Sequence, residues 1–150
     1  MMTGITRTNE QVPIPTDYGA PIILAPQFDG TPLTRDAALG VAVNGVPIYD
    51  YTGGGEMSVD DLSHVSGGHA GRGDDYHYHV APTCMIEQME NAGPDAIIGR
   101  AFDGFPIYGD TNPDGNAIAE GTLDVCNGQI DDTLGIATTP RQTRPTSCNA

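Results

Sequence analysis

The sequence predicts a single all-β domain, a sandwich or barrel built from two related hairpin units, with one short helix. The 150 residues include 20 glycines and 12 prolines, which interrupt helices and favour short strands joined by tight turns. A twelve-residue segment also occurs twice, at 39–50 and 98–109, with six identical positions. Both copies carry Asn-Gly or Asp-Gly followed by Pro-Ile-Tyr, a pattern typical of a hairpin whose turn needs a positive φ.

The first part of the chain leads into this repeat. Residues 1–20 are expected to form an extended lead-in, because Pro13 and Pro15 exclude a helix there, and residues 21–150 to form the β domain. The apolar stretch from Pro21 to Phe28 predicts a strand that precedes the first hairpin.

Between the two copies the sequence predicts one strand and one helix. The alternation of side chains over Tyr76–Val80 indicates a strand, which Pro82 ends. Thr83 is expected to cap a short helix over residues 84–91, with two methionines on one face. Tyr76–Pro82 can be aligned with residues 134–140 by their prolines, and the second segment contains no histidine. We therefore expect one metal-binding strand per chain.

The charge of the chain limits its partners. Twenty acidic and six basic side chains give a formal net charge of −14, which disfavours nucleic acid and anionic membranes. No apolar run approaches the roughly 20 residues of a membrane span, and the first ten residues do not resemble a signal peptide. A small molecule, an extracellular polymer or a second copy of the chain remain possible partners. Cys84, Cys126 and Cys148 allow at most one disulfide.

The clustering of histidines is the strongest chemical signal. All four lie within sixteen residues, at His64, His69, His77 and His79. On a strand, His77 and His79 project from the same face, so they can bind one metal ion, and His69 on a glycine-rich loop is the expected third ligand. Imidazoles suit copper or zinc, and water would fill the remaining position. A polar sheet face without metal is the alternative for this pair, and an ordinary surface position the alternative for His64.

Two further features have open interpretations. Asp110, Asn112 and Asp114 open a loop with the oxygen pattern of a calcium site, but the closing acid is displaced by one position, and an Asx-rich turn is the alternative. Tyr49, Tyr76, Tyr78 and Tyr108 could line a shallow binding face or pack within the sheet.

The chain resembles the YHYH domain family over about residues 38–130. The resemblance lies in the segment from Gly67 to His79, in Phe102–Gly109 and in Leu123–Gly128. It implies a secreted or envelope-associated bacterial protein with metal binding. The family often has a cysteine before the Gly-Gly-His segment and a second Tyr-His-Tyr-His strand, and this sequence has neither. A carboxylate such as Asp103, or a second copy of the chain, would then help to complete the site.

These observations lead to one expected function and two alternatives. We expect a copper- or zinc-binding extracytoplasmic domain, with copper-dependent oxidation as the first choice of activity. A metal-dependent hydrolase and a structural or assembly module of the cell surface without catalysis are the alternatives.

Overall fold

The computed structural model describes residues 22–23, 25–26, 38–50, 67–70, 76–109, 111–124, 127–132 and 135–138. In this part of the chain the all-β class with a single short helix is confirmed. The strands form one mixed sheet, in the order β3-β4-β2-β1-β5-β6-β8-β7. Their bounds are β1 Gly40–Ala42, β2 Pro47–Ile48, β3 Gly68–Ala70, β4 Tyr76–Tyr78, β5 Gly99–Ala101, β6 Pro106–Ile107, β7 Gly128–Asp131 and β8 Gly135–Thr138. The helix, α1, covers Thr83–Glu87.

The repeated segments form two equivalent hairpins, β1–β2 and β5–β6. In each turn the glycine has a positive φ, 84° at Gly45 and 96° at Gly104, as the sequence pattern requires. The residue before each glycine accepts a hydrogen bond from the backbone N–H two positions on, from Val46 to Asn44 and from Phe105 to Asp103, both at 3.3 Å. The same backbone geometry therefore recurs 59 residues later.

The equivalence extends to the remaining strands. β2 pairs with β4 in parallel, with Ile48 opposite Tyr78, and β6 pairs with β8 in parallel, with Ile107 opposite Thr138. The antiparallel pairs β3–β4 and β7–β8 correspond in the same way, since Gly68 faces Tyr78 and Gly128 faces Thr138. The two halves meet at β1 and β5, where Val41 faces its own repeat equivalent Arg100. A pseudo-twofold axis passes through this pair.

Three local predictions need correction. The alignment of residues 76–82 with 134–140 is wrong by two positions, because the pairing makes Thr138 the equivalent of Tyr78. The helix has Pro82 as its N-cap and ends at Glu87, so Thr83 is its first residue rather than its cap. The described residues of the segment 21–28 are not in a strand, and prolines at 21 and 26 remove ladder donors there.

The core lies on one face of the sheet. It combines strand residues of both halves with the two tyrosines of β4, namely Ala42, Val46, Ile48, Tyr76, Tyr78, Ile98 and Ile107. Met85 and Ile86 of α1 and Met89 just after it are half-buried and pack against this cluster, so the predicted methionine face is the one that contacts the core. In the described part of the chain, no helix has the length and apolarity that crossing a membrane requires.

The close pairing of β1 with β5, where the two halves meet, leads to a prediction about stability. A Cβ at Gly99 would lie 2.7 Å from the carbonyl oxygen of Val41 and 3.1 Å from the Cα of Ala42. We expect Gly99→Ala to lower the free energy of unfolding by about 1–3 kcal/mol, because the strands must separate to admit the methyl group. Urea denaturation measures this. Gly109→Ala is the control, since its nearest neighbour is 4.0 Å away, and equal stability losses in both variants would contradict the prediction.

Candidate metal centre

The β3–β4 hairpin places two histidines side by side. His69 of β3 and His77 of β4 are register partners, so their side chains leave the same face of the sheet. Their ring centroids are 4.5 Å apart with an interplanar angle of 64°. Tyr76 and Tyr78 alternate with His77 and enter the core on the opposite face. The Tyr-His-Tyr pattern thus separates the core from the site.

His79, two residues after His77, reaches the same place, and a β-bulge forms at this position. Strand β4 ends at Tyr78, and the backbone N–H groups of both His79 and Val80 donate to the carbonyl of Gly67, at 2.9 and 3.2 Å. Two residues therefore face one, which is the pattern of a β-bulge. A Cβ at Gly67 would lie 2.6 Å from the carbonyl oxygen of Val80, and Gly67 has a φ of +79°, so this position requires glycine.

The three imidazoles converge through their Nε2 atoms. His79 Nε2 lies 3.0 Å from His77 Nε2 and 3.1 Å from His69 Nε2. One ligand atom of each of the three residues lies within 4.8 Å of the others. Nitrogens bound to one zinc ion at about 2.0–2.1 Å in tetrahedral geometry are about 3.3–3.4 Å apart. The two separations from His79 are shorter by only a few tenths of an ångström, so the three residues could hold one metal ion.

A backbone carbonyl determines which nitrogen of His79 is free to bind. His79 Nδ1 lies 2.6 Å from the carbonyl oxygen of Asp50. Because a carbonyl oxygen only accepts hydrogen bonds, Nδ1 carries the proton and donates. In the neutral ring Nε2 then presents its lone pair to the centre of the cluster. Metal-binding histidines are commonly oriented by such a hydrogen bond from the other ring nitrogen.

Burial keeps His79 uncharged. His77 and His79 are buried, and His69 is half-buried. The pKa of His79 is lowered from its ordinary value of 6.5 to about 4, chiefly by burial. The hydrogen bond to the Asp50 carbonyl opposes this change, and the neighbouring His77 and His69 add to it. At neutral pH His79 is therefore in the form that binds metal.

Of the other candidate residues, His64 lies outside the described residues, and Asp103 does not join this cluster. Asp103 lies in the β5–β6 turn, where its carboxylate accepts the hydrogen bond from Phe105 N, as its repeat equivalent Asn44 does for Val46. Strand β5 is three places from β4 in the sheet, a separation of about 14 Å at the usual strand spacing. The structure thus gives Asp103 a turn-forming role.

In the loop predicted to bind calcium, both oxygens of Asp114 accept hydrogen bonds from Asn116, at 2.9 Å to the backbone N–H and 2.8 Å to the side-chain amide. These hydrogen bonds lower the pKa of the fully exposed Asp114 carboxyl. Asn112 Oδ1 accepts a hydrogen bond from Gln129 Nε2 at 3.2 Å. Asp110 lies outside the described residues. The contacts of Asn112 and Asp114 are those of an Asx-rich turn.

The site includes two groups that the sequence alone did not assign to it. Tyr49 stacks on His77, with ring centroids 4.3 Å apart and an interplanar angle of 20°. The carbonyl of Asp50 follows immediately in the chain. The sequence offered a signal for Tyr49, which ends the Pro-Ile-Tyr of the first repeat segment, but none for a backbone carbonyl. Tyr76, Tyr78 and Tyr108 are buried and pack in the sheet.

The second half has the same backbone frame without the ligands. Gln129 occupies the position of His69, and Ala137 that of His77, because residues 129 and 137 pair as 69 and 77 do. Asn127 has a φ of 59° at the position equivalent to Gly67. The chain therefore has one three-histidine cluster among its described residues.

Comparison with known proteins identifies one relationship. A family model described as YHYH protein matches residues 21–120. No curated protein and no solved structure matches the chain. The matched range includes both repeat segments and all four histidines.

Because His79 is buried, we predict that the stability of the protein depends on pH. In metal-free protein the folded pKa of His79, about 4, lies below the ordinary 6.5, so the unfolded chain binds the proton more readily. The stabilisation is complete above pH 6.5 and is lost as the pH falls towards 4, by up to about 3 kcal/mol at 1.36 kcal/mol per pH unit. Urea denaturation in the presence of a chelator, at several pH values, measures this loss.

His79→Gln is the matched control, because glutamine retains an N–H donor for Asp50 and does not titrate. Its unfolding free energy should fall less steeply than that of the original protein between pH 6.5 and 4. A direct check is the NMR titration of the His79 ring, which should remain neutral at pH 5.5. Identical pH slopes, or a ring that protonates near pH 6.5, would contradict the prediction.

Proposed function

We propose that this chain, which belongs to the YHYH protein family, is a metal-binding protein that holds one copper or zinc ion through His69, His77 and His79. The observation that carries the proposal is the convergence of three imidazole nitrogens, two of them 3.0 and 3.1 Å from His79 Nε2. Imidazole is a ligand of borderline softness that suits both ions.

The local hydrogen bonding and burial support binding rather than a polar sheet face. His79 presents an unprotonated Nε2 because its Nδ1 donates to Asp50. A polar face in contact with water would not bury two imidazoles, whereas His77 is 7% and His79 5% exposed. Two buried histidines whose ring nitrogens meet that of a third at one point have the arrangement of a ligand set.

Three protein ligands leave a coordination position for water or substrate, which is typical of catalytic metal sites. A copper ion would supply one-electron oxidation chemistry, our first choice, and a zinc ion would supply an activated water for hydrolysis. In either case this chain's own contribution is to present the three imidazoles and to fix the His79 tautomer. A module that binds metal without turnover is the third possibility, and activity assays on the loaded protein distinguish these outcomes.

We also propose that the protein acts outside the cytoplasm, on the basis of its family membership. Cell fractionation of the native source, with an antibody against the chain, tests this. Recovery in the cytoplasmic fraction would contradict it.

We predict that protein purified without a polyhistidine tag carries or takes up one equivalent of metal, measured by elemental mass spectrometry and by competition with a chromophoric chelator. His77→Ala and His79→Ala should each weaken binding by more than about 100-fold, since loss of a ligand exceeds the effect of losing an outer-shell partner.

Gln129→Ala is the control, because it truncates the repeat equivalent of His69 in the half that lacks the cluster. Its affinity should equal that of the original protein. Protein that contains no metal and binds none at micromolar concentrations would refute the proposed function, and the histidine cluster would then be structural.

A further inference from the structure

We infer that Tyr49 is a positioning residue of the metal centre, whose ring holds the His77 imidazole in the orientation that directs Nε2 towards the other two ligands. The inference rests on the proposed function. Tyr49 stacks on His77 with ring centroids 4.3 Å apart and an interplanar angle of 20°. It also meets the edge of His79, at 6.2 Å and 87°. One aromatic ring thus contacts two of the three ligands.

The backbone of Tyr49 is attached to the strand that carries His77. Its N–H donates to the carbonyl of Tyr78 at 2.8 Å, immediately after the parallel pairing of Ile48 with Tyr78. The next carbonyl along the chain, that of Asp50, accepts from His79 Nδ1. Two consecutive residues therefore orient two ligands by different means, a ring face for His77 and a hydrogen bond for His79.

The stacked ring of Tyr49 can control the orientation of the His77 imidazole. The χ2 torsion of histidine has broad minima, so the imidazole plane is set mainly by its neighbours. His69 and His79 contact His77 edge to face, with interplanar angles of 64° and 76°. The nearly parallel ring of Tyr49 adds a face contact that restricts rotation about χ2, because turning the imidazole would break the stacking.

The repeat provides a comparison for the opposite interpretation, that Tyr49 only packs the sheet. Its equivalent Tyr108 is 6% exposed and lies in the half where Gln129 and Ala137 replace the histidines. In the half without the histidine cluster, the equivalent tyrosine is therefore buried. Tyr49 is only half-buried and stacks on an imidazole instead.

The experiment compares three variants: Tyr49→Leu removes the ring, Tyr49→Phe keeps it, and Tyr108→Leu removes the equivalent ring from the other half. Zinc affinity is measured by chelator competition and the ligand geometry by the visible spectrum of the cobalt-substituted protein. We expect Tyr49→Leu to weaken zinc binding about tenfold, as loss of an outer-shell partner does, and to alter the cobalt bands. Tyr49→Phe should restore both properties, and Tyr108→Leu should lower stability without changing either.

The outcomes separate this inference from the proposed function. If the original protein binds metal and Tyr49→Leu retains its affinity and cobalt spectrum, the inference is overturned while the metal site stands. If the original protein binds no metal, both fail. If Tyr49→Leu does not fold, the β-branched variant Tyr49→Ile replaces it. In the metal-free protein, the His77 ring protons should also shift on loss of the Tyr49 ring, and unchanged shifts would contradict the stacking.

Discussion

The parallel pairing of β2 with β4 is the contact on which the metal centre depends. Among the strands that the structure describes, β4 has only β3 and β2 as neighbours, so the histidine hairpin joins the sheet through this pairing. Ile48 faces Tyr78, and the N–H of Tyr49 continues the ladder to the carbonyl of Tyr78. Strand β2 ends at Ile48, immediately before Tyr49. Its backbone pairing with β4 therefore places Tyr49 and the Asp50 carbonyl beside the imidazoles.

The sequence predicted what short-range patterns encode. Alternation over residues 76–80 indicated the strand and the common face of His77 and His79, and the Asn-Gly and Asp-Gly pairs indicated the hairpins. The bulge at His79 was not predictable, because it depends on Gly67 across the hairpin. The Asp50 carbonyl was missed for a related reason, since a backbone acceptor leaves no trace in residue type. The proline-based alignment of the second half failed because Pro82 lies outside β4, so a proline does not fix the register of the paired strands.

Comparison of the two halves separates the requirements of the fold from those of the site. Positive φ angles recur at Gly67 and Asn127, and the same ladders recur with Gly68 and Gly128 at their ends. These features belong to the sheet. The three imidazoles, the contact of His79 with the Asp50 carbonyl and the stacking of Tyr49 on His77 lie in the first half. At the position of His69, Gln129 instead bonds to Asn112 and ties the second half to its own loop.

The pairing of Val41 with Arg100 has a consequence for how the two halves can change in sequence. In an isologous homodimer, equivalent strands of the two subunits pair across a twofold axis. Here the two equivalent strands belong to one polypeptide. In a homodimer every substitution appears twice, so removing a ligand from one subunit removes it from both. Fusion of the two copies ends that constraint. A chain of this kind can keep a histidine site in one half while the other half diverges, and the shared sheet preserves both.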